Sequence, residues 1–134
     1  MATQVTGNVG MYYAAYHLSK TGWNVMPTAR NARGIDLLAY NSTGRRLRGI
    51  QVKTFSIRNA VPLGKSIDRL IGNWWIIVAK AKTEPVCFIM KPAEVRRLAN
   101  RSKKDGRVSY WLPAPRYDID KFREAWHRIG RGDV

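Results

Sequence analysis

The stretch from residue 34 to 53, GIDLLAYNSTGRRLRGIQVK, constrains the fold more than any other part of the sequence. Two segments with strand character flank NSTG, which has the composition of a tight turn, so the stretch is predicted to form a β-hairpin. Side chains alternate between the two faces of a strand, so Gln51 and Lys53 are expected to lie on one face.

The register of this hairpin decides where its one acidic residue lies. If the turn consists of the four residues NSTG, Tyr40 is opposite Arg45 and Asp36 is opposite Gly49. Asp36 is then diagonal to Gln51 and on the same face. The hairpin is therefore expected to bring an acid, an amide and an amine together on one patch.

The balance of charge indicates the kind of partner. The chain has 134 residues, enough for one domain with a real core, and 45% of them are hydrophobic. It contains 24 Lys and Arg against 9 Asp and Glu, a formal charge of +15. Such an excess favours a polyanion, most often nucleic acid, over a basic structural protein. No basic amphipathic helix with a broad apolar face is apparent, so no membrane partner is expected.

Cysteine usage and the N-terminal sequence indicate the cellular compartment in which the protein is expected. The single cysteine, Cys87, excludes an internal disulfide and a cysteine-based zinc site, and its apolar surroundings predict burial. The N-terminus MATQVTGNVG lacks the features of a secretory signal. The longest wholly apolar run, 74–79, is far below the ~20 residues of a membrane span. A cytoplasmic protein is expected.

A first helix is predicted over residues 6–19, with Asn8 as its N-cap and Gly22 just beyond its end. Its buried stripe follows i, i+3, i+4, i+7 spacing. The stripe consists of Met11, Ala14, Ala15 and Leu18. His17 falls on a more polar face and has no carboxylate or cysteine at ligand spacing, so it is expected to be a solvated surface residue.

The rest of the chain alternates strand and helix signals and predicts one mixed α/β domain over residues 1–134. The predicted elements are a strand at 23–28, the hairpin, a looser segment at 55–72 with a short helix near 66–70, strands at 74–80 and 86–90, a helix at 92–100 with Pro92 at N1, a basic loop at 101–107, an edge strand at 110–112 and a final helix at 118–129. The core stripe of that final helix is Ile119, Phe122, Trp126 and Ile129.

Four motifs in this order carry a family resemblance: TGNxG opening the first helix, the strand GWNV, then G-x-D-L and QVKT. Together they resemble the PD-(D/E)xK nuclease superfamily, which includes type II restriction endonucleases and archaeal Holliday-junction resolvases. The resemblance covers about residues 6 to 55. It implies a restriction-endonuclease-like αβββαβ core of α+β class, with a mixed central sheet flanked by helices.

The resemblance also implies a catalytic site, a metal and a partner. Asp36 would bind Mg²⁺, for which Mn²⁺ can substitute, and Lys53 would lie beside the scissile phosphate. Gln51, in the position of the usual Glu, and the backbone carbonyl of Val52 would complete the metal ligands. The implied activity is that of a DNA endonuclease or resolvase. Such enzymes dimerise to cut two strands, which implies a homodimer as one possible arrangement.

Two departures from the family pattern leave the activity open. Gln51 brings no negative charge, and Met11 stands where relatives with TGNxGE carry a helix Glu. A neutral thioether does not bind Mg²⁺ usefully. The alternative interpretation of Asp36 is a carboxylate paired with Arg33 or Arg48.

Three functions are therefore weighed: a Mg²⁺-dependent DNA phosphodiesterase, a catalytically impaired DNA-binding module of the same fold, and a phage or defence interaction protein that uses its basic face. The residues expected to bind nucleic acid are Arg30, Arg33, Arg45, Arg46, Arg48, Lys103 and Lys104. Tyr12, Tyr13 or Trp111 could stack on unpaired bases, although burial is the expected fate of each.

Overall fold

The computed structural model describes residues 4–28 and 34–134. Over those ranges the chain has a mixed α+β architecture, which confirms the predicted fold class. Its elements are α1 (Gln4–Lys20), β1 (Asn24–Pro27), β2 (Leu37–Tyr40), β3 (Leu47–Thr54), β4 (Val61–Gly64), β5 (Trp74–Ala79), β6 (Val86–Met90), α2 (Pro92–Leu98), β7 (Asn100–Lys104), β8 (Arg107–Leu112), α3 (Ala114–Tyr117) and a final 3₁₀ turn, Trp126–Arg128.

The described strands form two sheets. The main sheet has the order β1-β2-β3-β5-β6, and the second sheet has the order β4-β8-β7. Strands β3 and β5 are parallel, whereas every other pair is antiparallel, so the main sheet is mixed as predicted. Helix α1 packs on one face of the main sheet, and β4, β8, α2 and α3 contribute side chains to the core on the other face.

Strand β5 separates two hydrophobic clusters, and all six of its residues are buried. Trp74, Ile76 and Val78 project into the α1-side cluster. The alternate residues project into the opposite cluster, together with Phe88 and Tyr117. A β-branched apolar strand covered on both faces is the arrangement that its continuous hydrophobic sequence predicts.

Helix α1 is held against β3 by a close contact. A Cβ built on Gly10 would lie 1.9 Å from Thr54 Oγ1, so glycine is what allows the helix and the strand to approach. The helix ends where predicted, with Gly22 at a positive φ of 93°. The amide of Trp23 donates to the Leu18 carbonyl at 3.2 Å, as in a Schellman motif. The helix begins at Gln4, so the prediction of Asn8 as N-cap is wrong.

Three predictions for the second half of the chain are wrong. The segment 66–70 contains turns rather than a helix, and the segment before it forms β4. The basic loop predicted at 101–107 is instead part of a hairpin of β7 and β8. The segment 110–112 belongs to β8, which is the central strand of the second sheet and not an edge strand.

The predicted final helix at 118–129 is also wrong, because this segment runs along β6. The Ile89 amide donates to the Phe122 carbonyl at 2.8 Å, and the Glu124 amide donates to the Cys87 carbonyl at 2.7 Å. These bonds occupy backbone groups at the β6 edge that would otherwise lack partners. Phe122 and Ile129 are nevertheless buried, whereas Ile119 is 39% exposed. None of the described helices is long and apolar enough to cross a membrane.

Candidate functional site

The hairpin of β2 and β3 forms with a longer turn than predicted. Tyr40 is paired with Leu47 rather than with Arg45, so the turn spans residues 41–46. Asn41 stabilises the wider turn, since its Oδ1 accepts a hydrogen bond from the Arg46 amide at 2.9 Å. The register shift is two residues, an even number, so every side chain keeps its predicted face.

This register places Asp36 beside Gln51 instead of diagonal to it. Leu37 pairs with Ile50, and Asp36 lies one residue before that pair. The Asp36 amide donates to the Ile50 carbonyl at 2.8 Å, and its Oδ2 accepts a hydrogen bond from the Val52 amide at 2.7 Å. At the end of the β2–β3 ladder, the Asp36 carboxylate thus takes the place of a backbone acceptor for the Val52 amide. It is held against β3 between Gln51 and Lys53.

The end of β1 fixes the other side of Asp36. The Thr28 amide donates to the Asp36 carbonyl at 3.0 Å, and the Thr28 hydroxyl donates to the Ile35 carbonyl. Asp36 is therefore positioned by backbone bonds to strands on both sides. Within the described residues it forms no ion pair.

Gln51 and Lys53 open into a cleft of about 660 Å³ between the main sheet and the second sheet. The Lys53 ammonium lies 5.7 Å from the ring centroid of Trp75, which is buried in the cleft wall. The cleft is lined by Gly34, Gln51, Lys53, Pro62, Leu63, Gly64, Lys65, Ser66, Arg69, Leu70 and Trp75. This lining contains three cations and no carboxylate, so it attracts an anion.

Lys65 and Arg69 are cleft residues that the sequence interpretation missed. Both are exposed and lie in the segment that follows β4. Their sequence carries a positive charge but no periodicity that assigns them to a face. The pairing of β4 with β8, which positions this segment opposite Lys53, is a long-range contact.

The oxygens around Asp36 are of the kind that Mg²⁺ prefers. The amide and the carbonyl of a strand residue point to the same side. Because the Val52 amide points to Asp36, the Val52 carbonyl is directed to that side as well. Carboxylate, Gln51 amide and backbone oxygens can therefore contribute ligands, with waters and substrate phosphate supplying the others. Residues 4–28 and 34–134 contain no group of three or more His, Cys, Asp and Glu arranged to hold a metal ion.

Met11 does not extend this site. It is half-buried and packs against the α1-side cluster, whereas Gln51 and Lys53 project from the opposite face of the main sheet. The neutral side chain at this position is consistent with its apolar surroundings, because a carboxylate there would lose hydration.

Two of the predicted nucleic-acid-binding arginines lie away from the cleft. Arg46 and Arg48 lie on the α1 side, with their guanidinium groups 5.5 and 5.9 Å from the ring centroid of Trp23. Arg46 also donates to the Val134 carbonyl at 2.8 Å. The alternative pairing of Asp36 with Arg48 is therefore wrong, because the two side chains are on opposite faces.

The other predicted basic residues are distributed over the surface. Arg30 and Arg33 lie outside the described residues, and so does any pairing of Asp36 with Arg33. Arg45 is exposed in the β2–β3 turn. Lys103 and Lys104 are exposed on β7, where alternation directs them to opposite faces of the second sheet.

The aromatic candidates differ in exposure. Tyr12 is 60% exposed, whereas Tyr13 and Trp111 are half-buried. The expectation that His17 is solvated is wrong, because its ring stacks on Trp126 with centroids 4.7 Å apart. His17 Nε2 is buried and has no hydrogen-bond partner among the described residues, and burial lowers the pKa of the imidazole. Cys87 is buried as predicted, and burial raises the pKa of its thiol.

The fold is similar to that of a bacterial homing endonuclease, I-Ssp6803I. The TM-score is 0.58 at 17% sequence identity, and the match covers 96% of this chain and 93% of that chain. At this identity the likeness establishes a shared, nuclease-like fold over nearly the whole chain. No family model matches the sequence, and no curated protein matches it.

Proposed function

We propose that this protein is a Mg²⁺-dependent DNA endonuclease of PD-(D/E)xK type, with Asp36, Gln51 and Lys53 at its active site. The observation that carries the proposal is the bond from the Val52 amide to the Asp36 carboxylate, which holds the acid between Gln51 and Lys53. The homing-endonuclease likeness supports the scaffold, and the acid-free basic cleft supports a polyanionic substrate.

The residues divide the chemistry between them. Mg²⁺, when bound, supplies an activated water and offsets charge on the phosphate. Asp36 and the Gln51 amide oxygen would hold the metal, assisted by the Val52 carbonyl. Lys53 donates to a non-bridging phosphate oxygen and stabilises the negative charge that develops in the transition state. Lys65 and Arg69, across the cleft, hold neighbouring phosphates of the same strand.

Cleavage assays with matched variants test this assignment. Purified protein with Mg²⁺ or Mn²⁺ is expected to cut duplex or branched DNA, and Asp36→Asn and Lys53→Ala should each lower the rate at least about 100-fold. Glu84→Gln and Lys82→Ala make the same chemical changes at exposed positions in the β5–β6 turn, and should cut normally. Equal activity in all four variants would show that the cutting comes from a contaminant or from another site.

A catalytically impaired DNA-binding module is the second candidate function. It is favoured by the neutral side chain of Gln51, which leaves Asp36 as the acid among the three proposed active-site residues. The module is expected to bind DNA without cutting it. Gln51→Glu should then raise Mn²⁺ affinity in calorimetry, because it places a second carboxylate beside Asp36. Unchanged Mn²⁺ binding in this variant would show that position 51 does not contribute to a metal site.

A further inference from the structure

The β7–β8 hairpin extends from the second sheet as a two-stranded ribbon. Asp105 and Gly106 join the strands, both at positive φ (53° and 77°), which is the geometry of a type I′ turn. Strand β4 pairs with β8 only as far as Tyr110, opposite Gly64. From there to the turn, no third strand of the described residues lies beside the ribbon.

The two faces of the ribbon carry different side chains. Leu112 is fully buried in the core and defines the inner face, on which Arg101 and Lys103 also lie by alternation. The outer face carries an aromatic side chain, two hydroxyls and two cations. Its residues are Trp111, Ser102 opposite Ser109, and Lys104 opposite Arg107.

The outer face has a concave centre. The short side chains of Ser102 and Ser109 lie between the base of the ribbon and the long side chains of Lys104 and Arg107 at its tip. These residues and Asp105 line a depression of about 460 Å³. Cations on an edge strand often serve to prevent aggregation. Lys104 and Arg107, however, flank a depression lined by two hydroxyls, an arrangement that prevention of aggregation alone does not require.

The ribbon is close to the proposed active site. Strand β4 lines the cleft and pairs with β8, so that Gly64 at the cleft is opposite Tyr110. At about 3.4 Å per residue, the Arg107 end of the ribbon lies about 10 Å beyond that level. DNA strands advance about 3.4 Å per base, so this distance corresponds to about three base pairs.

We propose that the β7–β8 hairpin enters the major groove of duplex DNA, with its outer face toward the base edges, a few base pairs from the phosphate in the cleft. The inference deepens the proposed function and rests on it. The major groove admits a two-stranded β-ribbon. Lys104 and Arg107 supply donors that suit guanine O6 and N7, and serine hydroxyls can donate or accept. Arg101 and Lys103, on the inner face, contact phosphates without regard to sequence.

Two arginine variants distinguish base contacts made by the outer face from phosphate contacts made by the inner face. Binding is measured in EDTA, so that cleavage is not required, on duplexes selected from a random pool and on unselected duplexes. Arg107→Ala is expected to weaken binding to the selected duplex about 5- to 150-fold, with a smaller effect on unselected DNA. Arg101→Ala removes the same charge from the other face, and should weaken both duplexes equally.

A charge-neutral variant provides an independent measurement. The double substitution Ser102→Ala and Ser109→Ala is expected to change the selected sequence while leaving the salt dependence of binding unaltered. Circular dichroism and thermal melting of each variant verify that the hairpin is folded.

Equal effects of Arg107→Ala and Arg101→Ala on both duplexes would overturn the inference, and so would the absence of any selected sequence. Cutting without sequence preference would contradict base recognition by the hairpin but leave the endonuclease proposal intact. Selective binding that depends on Arg107, with no cutting under any metal, would support the hairpin inference and contradict the endonuclease proposal.

Discussion

Glu94 shows how a single buried charge connects distant parts of this chain. It lies in the first turn of α2, is 7% exposed, and accepts hydrogen bonds from the Lys91 amide at 2.8 Å and Arg128 Nη2 at 2.7 Å. Lys121 Nζ is 3.2 Å from the same carboxylate. Burial alone would raise the pKa of Glu94, but these partners outweigh burial and lower the pKa from 4.5 to about 2.

Glu94→Gln is therefore expected to lower the free energy of unfolding by about 3 kcal/mol at pH 7, since each pKa unit corresponds to about 1.4 kcal/mol. The folded-state pKa lies below the unfolded value, so the contribution is complete above pH 4.5 and is lost as the pH falls toward 2. Urea unfolding across this range, with the exposed Glu84→Gln as control, should show the difference from wild type closing below pH 4.5. A difference that is the same at pH 7 and pH 2.5 would show that the carboxylate charge is not what stabilises.

The residues of the candidate site were predictable because a register error of two residues does not change the face from which a strand side chain projects. The hairpin register differs from the predicted one by two residues, so Asp36, Gln51 and Lys53 remain on one face. Histidine shows the opposite case. His17 looked solvated because its helical neighbours are polar, and its actual neighbour, Trp126, is more than a hundred residues away in the sequence.

The packing of α1 on β3 depends on one glycine of the helix. Gly10→Ala would place a methyl group 1.9 Å from Thr54 Oγ1, and is expected to destabilise the fold by about 1–3 kcal/mol. Gly7→Ala is a matched control in the same helix, because a Cβ there meets nothing within 4 Å. It should instead stabilise by about 0.5–1 kcal/mol through helix propensity.

Thr54→Ala should partly rescue Gly10→Ala, because it removes the two nearest clashing atoms, Oγ1 and Cγ2, and leaves only the Cβ at 2.7 Å. It also removes a buried hydroxyl without a hydrogen-bond partner among the described residues. Urea denaturation monitored by circular dichroism measures the stability of the three single variants and of the Gly10→Ala, Thr54→Ala double variant. If Gly10→Ala proves as stable as Gly7→Ala, Gly10 is not in direct contact with Thr54.

At the scale of elements, the errors in the C-terminal third have two physical causes. The hairpin around Asp105 and Gly106 was missed because NRSKK is polar throughout, so no alternation of apolar and polar residues marks it as a strand. The final helix was wrongly predicted because helical spacing of apolar residues indicates burial but not hydrogen bonding. Phe122 is buried as that spacing predicts, yet its carbonyl bonds to Ile89 on β6.

For the whole molecule, the sequence predicts a net positive charge but not which of the cations lie together on the surface. Parallel pairing of β3 with β5 and pairing of β4 with β8 join segments that no local pattern relates. These contacts place Lys65 and Arg69 opposite Lys53, and they separate the cleft from Arg46 and Arg48 on the α1 side. Cations thus extend from the cleft over the ribbon. They are Lys53, Lys65, Arg69, Arg101, Lys103, Lys104 and Arg107.

This basic surface makes a quantitative prediction for DNA affinity. If the five cations assigned to phosphates (Lys53, Lys65, Arg69, Arg101 and Lys103) each neutralise one phosphate, the logarithm of the binding constant should fall with the logarithm of salt with a slope of about −4.5. Raising salt from ~50 to ~200 mM should then weaken binding about 500-fold. Lys65→Ala is expected to reduce the slope by about 1, whereas Lys82→Ala, in the β5–β6 turn, should leave it unchanged. Equal slopes for wild type and Lys65→Ala would show that Lys65 does not contact a phosphate. An affinity that does not depend on salt would mean that the basic surface binds a partner other than nucleic acid.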